Sequence, residues 1–205
     1  MTDHAHGDHV GIFRALAPER GGVEGTAVPG LPAPRAALED RPAAVDPVPY
    51  NLLRATGRLE STLAAWRRGV LAEVPAGLGF DVLRVPGAVA EDAARRMRAA
   101  GRRVGPVVLG PLGGEFLLEC GSAPRWYAPR SQFLLRGTLV LLPPPTVCLP
   151  ELVGARGWLV PPTHHPADAP AGEGVTTGGA LLEPFLDAVK AAEDAENPNC
   201  MPGRD

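Results

Sequence analysis

The stretch "GFDVLRVPG" (residues 79–87) contains the first group that could do chemistry, the carboxylate of Asp81. The apolar residues around it, among them Val82 and Val85, are typical of a β-strand, which ends at a proline and a glycine. An acidic side chain on a central strand often belongs to a metal site, because carboxylate oxygens bind divalent cations. One carboxylate seldom forms such a site alone. Asp81 is therefore part of an active site, the remnant of one, or a surface residue on an ordinary strand.

Two histidine clusters provide other candidate ligands. The N-terminal "MTDHAHGDHVG" holds three histidines that could bind Zn, Ni or Cu loosely, namely His4, His6 and His9. A flexible run lacks the surrounding hydrogen bonds that orient metal ligands, so a polar terminus without metal is the alternative. In "PPTHHPAD", the residues that could act as ligands or as an acid–base pair are His164, His165 and Asp168. There we favour the alternative of a proline-flanked surface loop.

The segment "ARRMRAAGRR" could contact the phosphates of a nucleic acid. Its candidate contact residues are Arg95, Arg96, Arg98, Arg102 and Arg103. The alternative is a solvated flank of a helix, partly balanced by Glu91 and Asp92. Trp126 and Tyr127 could stack on a base or on a partner side chain, although capping of the core is the simpler role.

The elements that position these residues follow from the pattern of apolar residues. "RLESTLAAWRRGVLAEV" predicts an amphipathic helix with Leu59, Leu63, Trp66 and Val70 on its inner face. The strand 79–87 follows, and "AVAEDAARRMRAAG" predicts a second helix. Residues 104–110 and 115–120 are predicted to pair as a hairpin around the turn "PLGG".

The C-terminal half continues with strands in "QFLLRGTLVLLPPP" and "RGWLVPP", and with a terminal helix in "ALLEPFLDAVKAAEDAE". Pro184 is best accommodated if that helix starts at Glu183. One β-α-β crossover followed by hairpins predicts an α+β fold, with a mixed, mainly antiparallel sheet packed by helices on one face. We expect residues 1–49 to form a flexible Pro/Gly/Ala-rich arm, 50–195 a single α+β domain, and 196–205 a flexible tail.

Composition narrows the functional classes. The chain has 205 residues and a net charge of −3, which argues against a general polyanion-binding protein. Its 3 cysteines, Cys120, Cys148 and Cys200, lack C-x-x-C spacing, and this favours a reducing compartment. Cys120, at a strand end, is expected to be a small buried residue and not a nucleophile. Without a signal peptide or an apolar run of about 18 residues, we expect a cytoplasmic protein that does not enter a membrane.

Several of these segments together resemble a known family. The helix with Trp-Arg-Arg, "GFDVLRVPG", "AAGRRVGPVVLGP", the glycine hairpin and "FLLEC" are similar to short actinobacterial bifunctional DNA primase/polymerase-like proteins. Those proteins belong to the archaeo-eukaryotic primase group, and the similarity covers roughly residues 57–162. The resemblance implies a core sheet like that of the RNA-recognition motif.

The same resemblance implies a metal site that this sequence does not reproduce. Active members carry Asp-x-Asp or Asp-x-Glu on the first core strand, where the two carboxylates hold the metal ions for nucleotidyl transfer. Here Leu83 stands at the partner position of Asp81, and Arg84 would oppose a cation. The family's Gly-Gly-x-His hairpin reads Gly-Gly-Glu-Phe, with Phe116 in place of the histidine. "FLLRGTLVLL" contains no later acidic residue.

Three hypotheses follow, and we favour the first. The chain is a degenerate, non-catalytic primase/polymerase-like domain that acts as a cytoplasmic binding or accessory protein, with a protein partner and no cofactor. Alternatively, it is a nucleotidyl-transfer enzyme whose Mg or Mn site is rebuilt around Asp81 with Glu115 or Glu119. The third hypothesis is a structural subunit that docks to a larger assembly through its N-terminal arm.

Overall fold

The structure, a computed structural model, describes residues 48–197. The predicted arm up to residue 47, with His4, His6 and His9, and the predicted tail from residue 198 lie outside the described residues. The described helices are α1 (Tyr50–Ala55), α2 (Leu59–Arg67), α3 (Gly87–Ala99) and α4 (Gly178–Glu196). The strands are β1 (Ala72–Pro75), β2 (Asp81–Val85), β3 (Val107–Gly110), β4 (Gly113–Leu118), β5 (Gln132–Phe133), β6 (Leu139–Leu142) and β7 (Gly157–Val160).

The strands form two antiparallel sheets, one of five strands in the order β5-β2-β4-β3-β7 and one of two strands, β1-β6. The predicted α+β class and the mainly antiparallel sheet are confirmed. The parallel neighbours that a mixed sheet requires are not formed among the described strands. β2 and β3 do point the same way, as the β-α-β crossover predicted, but the β3–β4 hairpin folds β4 back between them.

Both faces of the five-stranded sheet are covered. Because side chains alternate along a strand, Val82, Val108 and Leu117 point to one face, and they pack in a core with α1, α2 and the β1–β6 sheet. Leu83 and Phe116 point to the other face, and they pack in a second core with α3 and α4. The sequence predicted helices on one face of the sheet. In the structure, helices lie on both faces.

The first predicted helix is shorter than expected, because its last residues form a strand. Gly69, with a φ of 69°, ends the turn that follows α2. Val70, which was predicted to point inward, is exposed. Beyond it, β1 pairs with β6 so that Val74 lies opposite Val140, and both are buried. Pairing with a strand more than sixty positions later along the chain outweighs the local helical pattern.

The last helix is longer than expected, and Pro184 lies inside it. The helix begins at Gly178, where the Thr177 side chain accepts a hydrogen bond from the Ala180 amide at 3.3 Å. Proline has no amide hydrogen to donate to the carbonyl of Ala180, four residues earlier. Arg102 Nη1 donates to that carbonyl instead, at 3.1 Å. Arg102, in the connection between α3 and β3, therefore satisfies the Ala180 carbonyl that Pro184 leaves without a donor.

We predict that Gly114→Ala destabilises the domain, because α3 approaches β4 directly over this glycine. A Cβ at Gly114 would lie 2.2 Å from the Cβ of Ala90, which is too close for two carbon atoms. We expect the free energy of unfolding to fall by about 2 kcal/mol, as in other overpacked cores. Urea denaturation followed by circular dichroism measures this change.

Gly87→Ala is the matched control, since a Cβ at Gly87 meets nothing within 4 Å. Its free energy of unfolding should stay within about 0.5 kcal/mol of the wild-type value. Equal destabilisation by both substitutions would show that the close approach of α3 is not the cause.

Candidate functional site

Asp81 closes a turn. Its Oδ2 accepts a hydrogen bond of 2.8 Å from the amide of Gly121, in the turn that follows β4. Partial burial raises the pKa of the Cys120 thiol, and the charge of Asp81 raises it further. Cys120 is exposed, not buried as predicted. A thiol whose pKa is raised is not activated as a nucleophile. The role of Asp81 in this structure is to anchor the turn after β4 to β2.

The position that would supply a second carboxylate lies in the core. Leu83, two residues after Asp81, points to the same face of the sheet and is fully buried. It lies opposite Phe116 on β4, and both belong to the core beneath α3 and α4. A carboxylate in this place would be removed from water without a partner, at a high energetic cost. The Asp-x-Asp arrangement of the primase group therefore has no counterpart at this position.

The opposite face of the same strands carries a charged cluster, which we call the Arg-Glu-Arg triad: Arg84, Glu115 and Arg156. Glu115 is 2% exposed and lies directly opposite Arg84 in the β2–β4 register. Its Oε1 accepts hydrogen bonds from Arg84 Nη2 at 2.7 Å and Nε at 3.1 Å. Its Oε2 accepts one from Arg156 Nη1 at 2.7 Å. Both carboxylate oxygens are therefore occupied by guanidinium groups.

The surroundings of the triad determine its charge state. Burial by itself would raise the pKa of Glu115, but hydrogen bonds and charges from Arg156 and Arg84 outweigh this effect, so the pKa lies below its ordinary value. Arg156 also donates to the carbonyl of Leu141 on β6, at 3.2 Å. The triad has one positive charge in excess, and the Arg84 side chain, 24% exposed, places part of that charge near solvent.

The structure does not bring Asp81 and Glu115 together, because they point to opposite faces of the sheet. The charges of Asp81 and of Glu119 each raise the pKa of the Cys120 thiol. No group of three or more His, Cys, Asp or Glu side chains within residues 48–197 is arranged to hold a metal ion.

Three of the five predicted nucleic-acid contacts are engaged by acidic residues. Arg95 and Arg96 both form ion pairs with Asp92, one turn earlier on α3. Arg102 forms an ion pair with Glu183 on α4, in addition to its bond with the helix carbonyl. Arg98 and Arg103 are exposed and form no ion pair with a described residue. The predicted basic face is therefore partly neutralised.

The histidine loop has a structural arrangement that the sequence did not reveal. His165 is buried, and its Nε2 lies 2.8 Å from Thr163 Oγ1 while its Nδ1 lies 3.7 Å from Glu173 Oε1. Its carbonyl accepts a hydrogen bond from the amide of Tyr50 at 3.1 Å. Glu173, and not Asp168, is the acidic residue beside it. His165 joins the loop to α1, whereas its neighbour His164 is exposed and meets the Tyr50 ring edge-on.

Trp126 has the core-capping role that the sequence favoured. Its ring packs against Phe133 and Phe185 with centroid distances of 6.0 and 5.4 Å, and its Nε1 donates to Ser131 Oγ at 2.9 Å. Tyr127, the next residue, is exposed.

Comparison with known proteins adds no relative. No family model matches the chain, and no curated protein or solved structure is significantly similar to it. None of the helices between residues 48 and 197 has the length and apolar character needed to span a bilayer.

The pairing of Arg156 with Glu115 was not predicted from the sequence. The one available signal was Glu115 itself, a charged residue inside the otherwise apolar stretch "GGEFLL" of β4. A buried carboxylate requires a cation or a proton, but the sequence does not say which arginine supplies the cation.

We predict that breaking the triad is more destabilising than replacing it. Glu115→Ala leaves two guanidinium groups without their carboxylate, so we expect the free energy of unfolding to fall by about 3–5 kcal/mol. The triple variant Arg84→Met, Glu115→Leu, Arg156→Met removes all three charges and should be distinctly more stable than Glu115→Ala. Urea denaturation of each protein measures these values.

Glu119→Ala is the matched control, because Glu119 is an exposed glutamate in the turn just after β4. Its effect should stay within about 0.5 kcal/mol. A triple variant that is less stable than Glu115→Ala would contradict this prediction. It would show that the triad adds to the stability of the fold beyond pairing its own buried charges.

We also predict a loss of stability in acid that depends on Glu115. In the unfolded chain Glu115 titrates near its ordinary pKa of 4.5, whereas in the folded protein its pKa is lower. Between these two values the unfolded state binds more protons, so stability that is present above about pH 4.5 is lost as the pH falls through the folded pKa. Denaturation series at several pH values should show a shallower acid slope for Glu115→Gln than for the wild type. Identical slopes would assign the acid loss to other carboxylates.

Proposed function

We propose that the chain is a non-catalytic primase/polymerase-like domain that acts as a cytoplasmic binding or accessory protein. The proposal has two supports. The central segments resemble that family, and the residues at the family's catalytic positions are not suited to its chemistry in this chain. The partner that it favours is a protein, because ion pairs with carboxylates occupy three of the five arginines offered for nucleic-acid contact.

The order of the strands supports the fold part of this proposal. β2, α3 and β3 form a β-α-β unit that is split by β4, and β5 extends the sheet on the other side of β2. A split β-α-β unit with an antiparallel hairpin is the arrangement of ferredoxin-like sheets, to which the RNA-recognition motif is related. α4 differs from the second helix of that arrangement, since it follows all the described strands and does not precede β5.

The burial of Leu83 beside Asp81 is the observation that carries the proposed loss of catalysis. Two-metal nucleotidyl transfer requires carboxylates that face a solvated site and bridge the ions. Here the partner position is apolar core, Asp81 binds a backbone amide, and the carboxylate of the glycine hairpin is neutralised by two arginines.

We predict that isothermal titration calorimetry with Mg²⁺ or Mn²⁺ and a nucleoside triphosphate gives no binding heat. Asp81 has its carboxylate engaged with the Gly121 amide, and a single carboxylate rarely retains a divalent ion in competition with water. The wild type and Asp81→Ala should therefore give the same trace.

Asp81→Ala also removes a cap of the turn after β4, so its folding is checked by circular dichroism before the titration. Heat in the wild type that disappears in folded Asp81→Ala would contradict the proposal. Loss of the same heat in Glu119→Ala would favour the alternative in which a metal site is rebuilt around Asp81 and Glu119.

A further inference from the structure

Three side chains in the loop between β7 and α4 place a hydroxyl, an imidazole and a carboxylate in series. Thr163 Oγ1 lies 2.8 Å from His165 Nε2, and His165 Nδ1 lies 3.7 Å from Glu173 Oε1. We call these residues the Thr-His-Glu cluster. A hydroxyl bonded to an imidazole, with a carboxylate at the other ring nitrogen, is an arrangement that activates the hydroxyl as a nucleophile. The longer contact to Glu173 is of the kind that often tightens only when a substrate binds.

Glu173 determines which ring nitrogen of His165 carries the hydrogen. An ionised carboxylate can only accept hydrogen bonds, so it favours the neutral imidazole with its hydrogen on Nδ1. Nε2 is then an acceptor, and the Thr163 hydroxyl is its donor. In this state the imidazole already contacts the proton that a general base has to remove.

The first turn of α1 holds the base and the carboxylate in place. The amide of Tyr50 donates to the carbonyl of His165 at 3.1 Å. The buried side chain of Asn51 donates from Nδ2 to the carbonyl of Glu173, also at 3.1 Å. His165 is buried, whereas Thr163 is exposed. The imidazole is therefore held by the fold, and a substrate can reach the hydroxyl.

We propose that Thr163 is a nucleophile that takes acyl groups from small activated esters, with His165 as its general base and Glu173 as a positioning residue. Thr163 Oγ1 attacks the acyl carbonyl and gives its proton to His165 Nε2. The ester bond then breaks, and the leaving alcohol takes that proton. Water attacks the acyl-threonine, while His165 Nε2 removes a proton from the water and returns it to Thr163 Oγ1. In sum, an ester and water become an acid and an alcohol.

The exposure of Thr163 sets the class of substrate. A general base contributes about 10²–10⁴-fold to a reaction rate. A nucleophile at the surface gains little from shape selection or from the exclusion of water. The cluster is therefore matched to esters whose leaving group departs readily. This reaction uses neither Asp81 nor a metal ion, so it is separate from the nucleotidyl transfer that the proposed function lacks.

The chain offers a matched pair of threonines for the test. Thr163→Val removes the hydroxyl from an exposed position and keeps the size of the side chain, and Thr163→Ser keeps the hydroxyl. Thr146→Val is the control, because Thr146 is also exposed and also follows two prolines. Its hydroxyl forms no hydrogen bond with any residue from 48 to 197.

Glu173→Gln separates positioning from mere structure. It keeps the size of the side chain, but its amide can donate to His165 Nδ1. Nε2 then carries the hydrogen and no longer accepts from the Thr163 hydroxyl. This variant should lose reactivity while its circular dichroism spectrum matches that of the wild type.

The experiment is the reaction of the full chain with p-nitrophenyl acetate. It is followed by the release of p-nitrophenol and by peptide mapping of the bound acetyl group. We expect acetyl on Thr163 of the wild type and of Thr146→Val, and at the same position in Thr163→Ser. Thr163→Val should carry none there, and Glu173→Gln should acetylate Thr163 at least about tenfold more slowly. Mapping separates this position from other nucleophiles such as Lys190.

Three results would overturn the proposal. The first is a wild type without acetyl on Thr163. The second is acetylation of Thr146 to the same extent, since exposure alone would then account for the reaction. The third is a Glu173→Gln variant that acetylates Thr163 at the wild-type rate. The reaction contains no metal ion or nucleotide, so its failure would leave the proposed loss of nucleotidyl transfer untouched.

Discussion

The ion pairing of Glu115 is the interaction on which the arrangement of this domain depends. A carboxylate at 2% exposure is stable in its charged form only when cations and hydrogen bonds replace the water it has lost. Arg84 reaches it from the neighbouring strand, and Arg156 reaches it from the connection before β7. Since Arg156 also binds the carbonyl of Leu141 on β6, one cluster links the five-stranded sheet to the two-stranded sheet.

This cluster also determines which chemistry the sheet can support. A carboxylate whose two oxygens already accept hydrogen bonds from two guanidinium groups binds a cation poorly, and the excess positive charge repels one. On the opposite face Leu83 and Phe116 occupy core positions, so the acidic and histidine positions implied by the primase resemblance are filled by apolar packing. At these positions, charge and apolar packing both disfavour the binding of a divalent cation.

Three of the five arginines that the sequence offers as nucleic-acid contacts form ion pairs within the domain. Arg102 satisfies the carbonyl that Pro184 leaves without a donor, and it pairs with Glu183 on the same helix. This explains how α4 accommodates a proline, while the apolar core that α3 and α4 share packs the two helices together. Of the five arginines, Arg98 and Arg103 are exposed and form no ion pair with a described residue.

The sequence alone determined the elements whose signals are local. β2, α3 and the β3–β4 hairpin were predicted close to their observed places, because alternation, helical spacing and glycine turns act within a few residues. Only the tertiary structure decided where α2 ends and α4 begins, that β4 separates β2 from β3, and which arginines hold Glu115. Those outcomes depend on pairs such as Arg156 with Glu115 and Arg102 with Ala180, which are 41 and 78 positions apart. Contacts at such separations leave no periodic signal in a single sequence, since burial and the need to pair buried charges are satisfied only when distant segments meet.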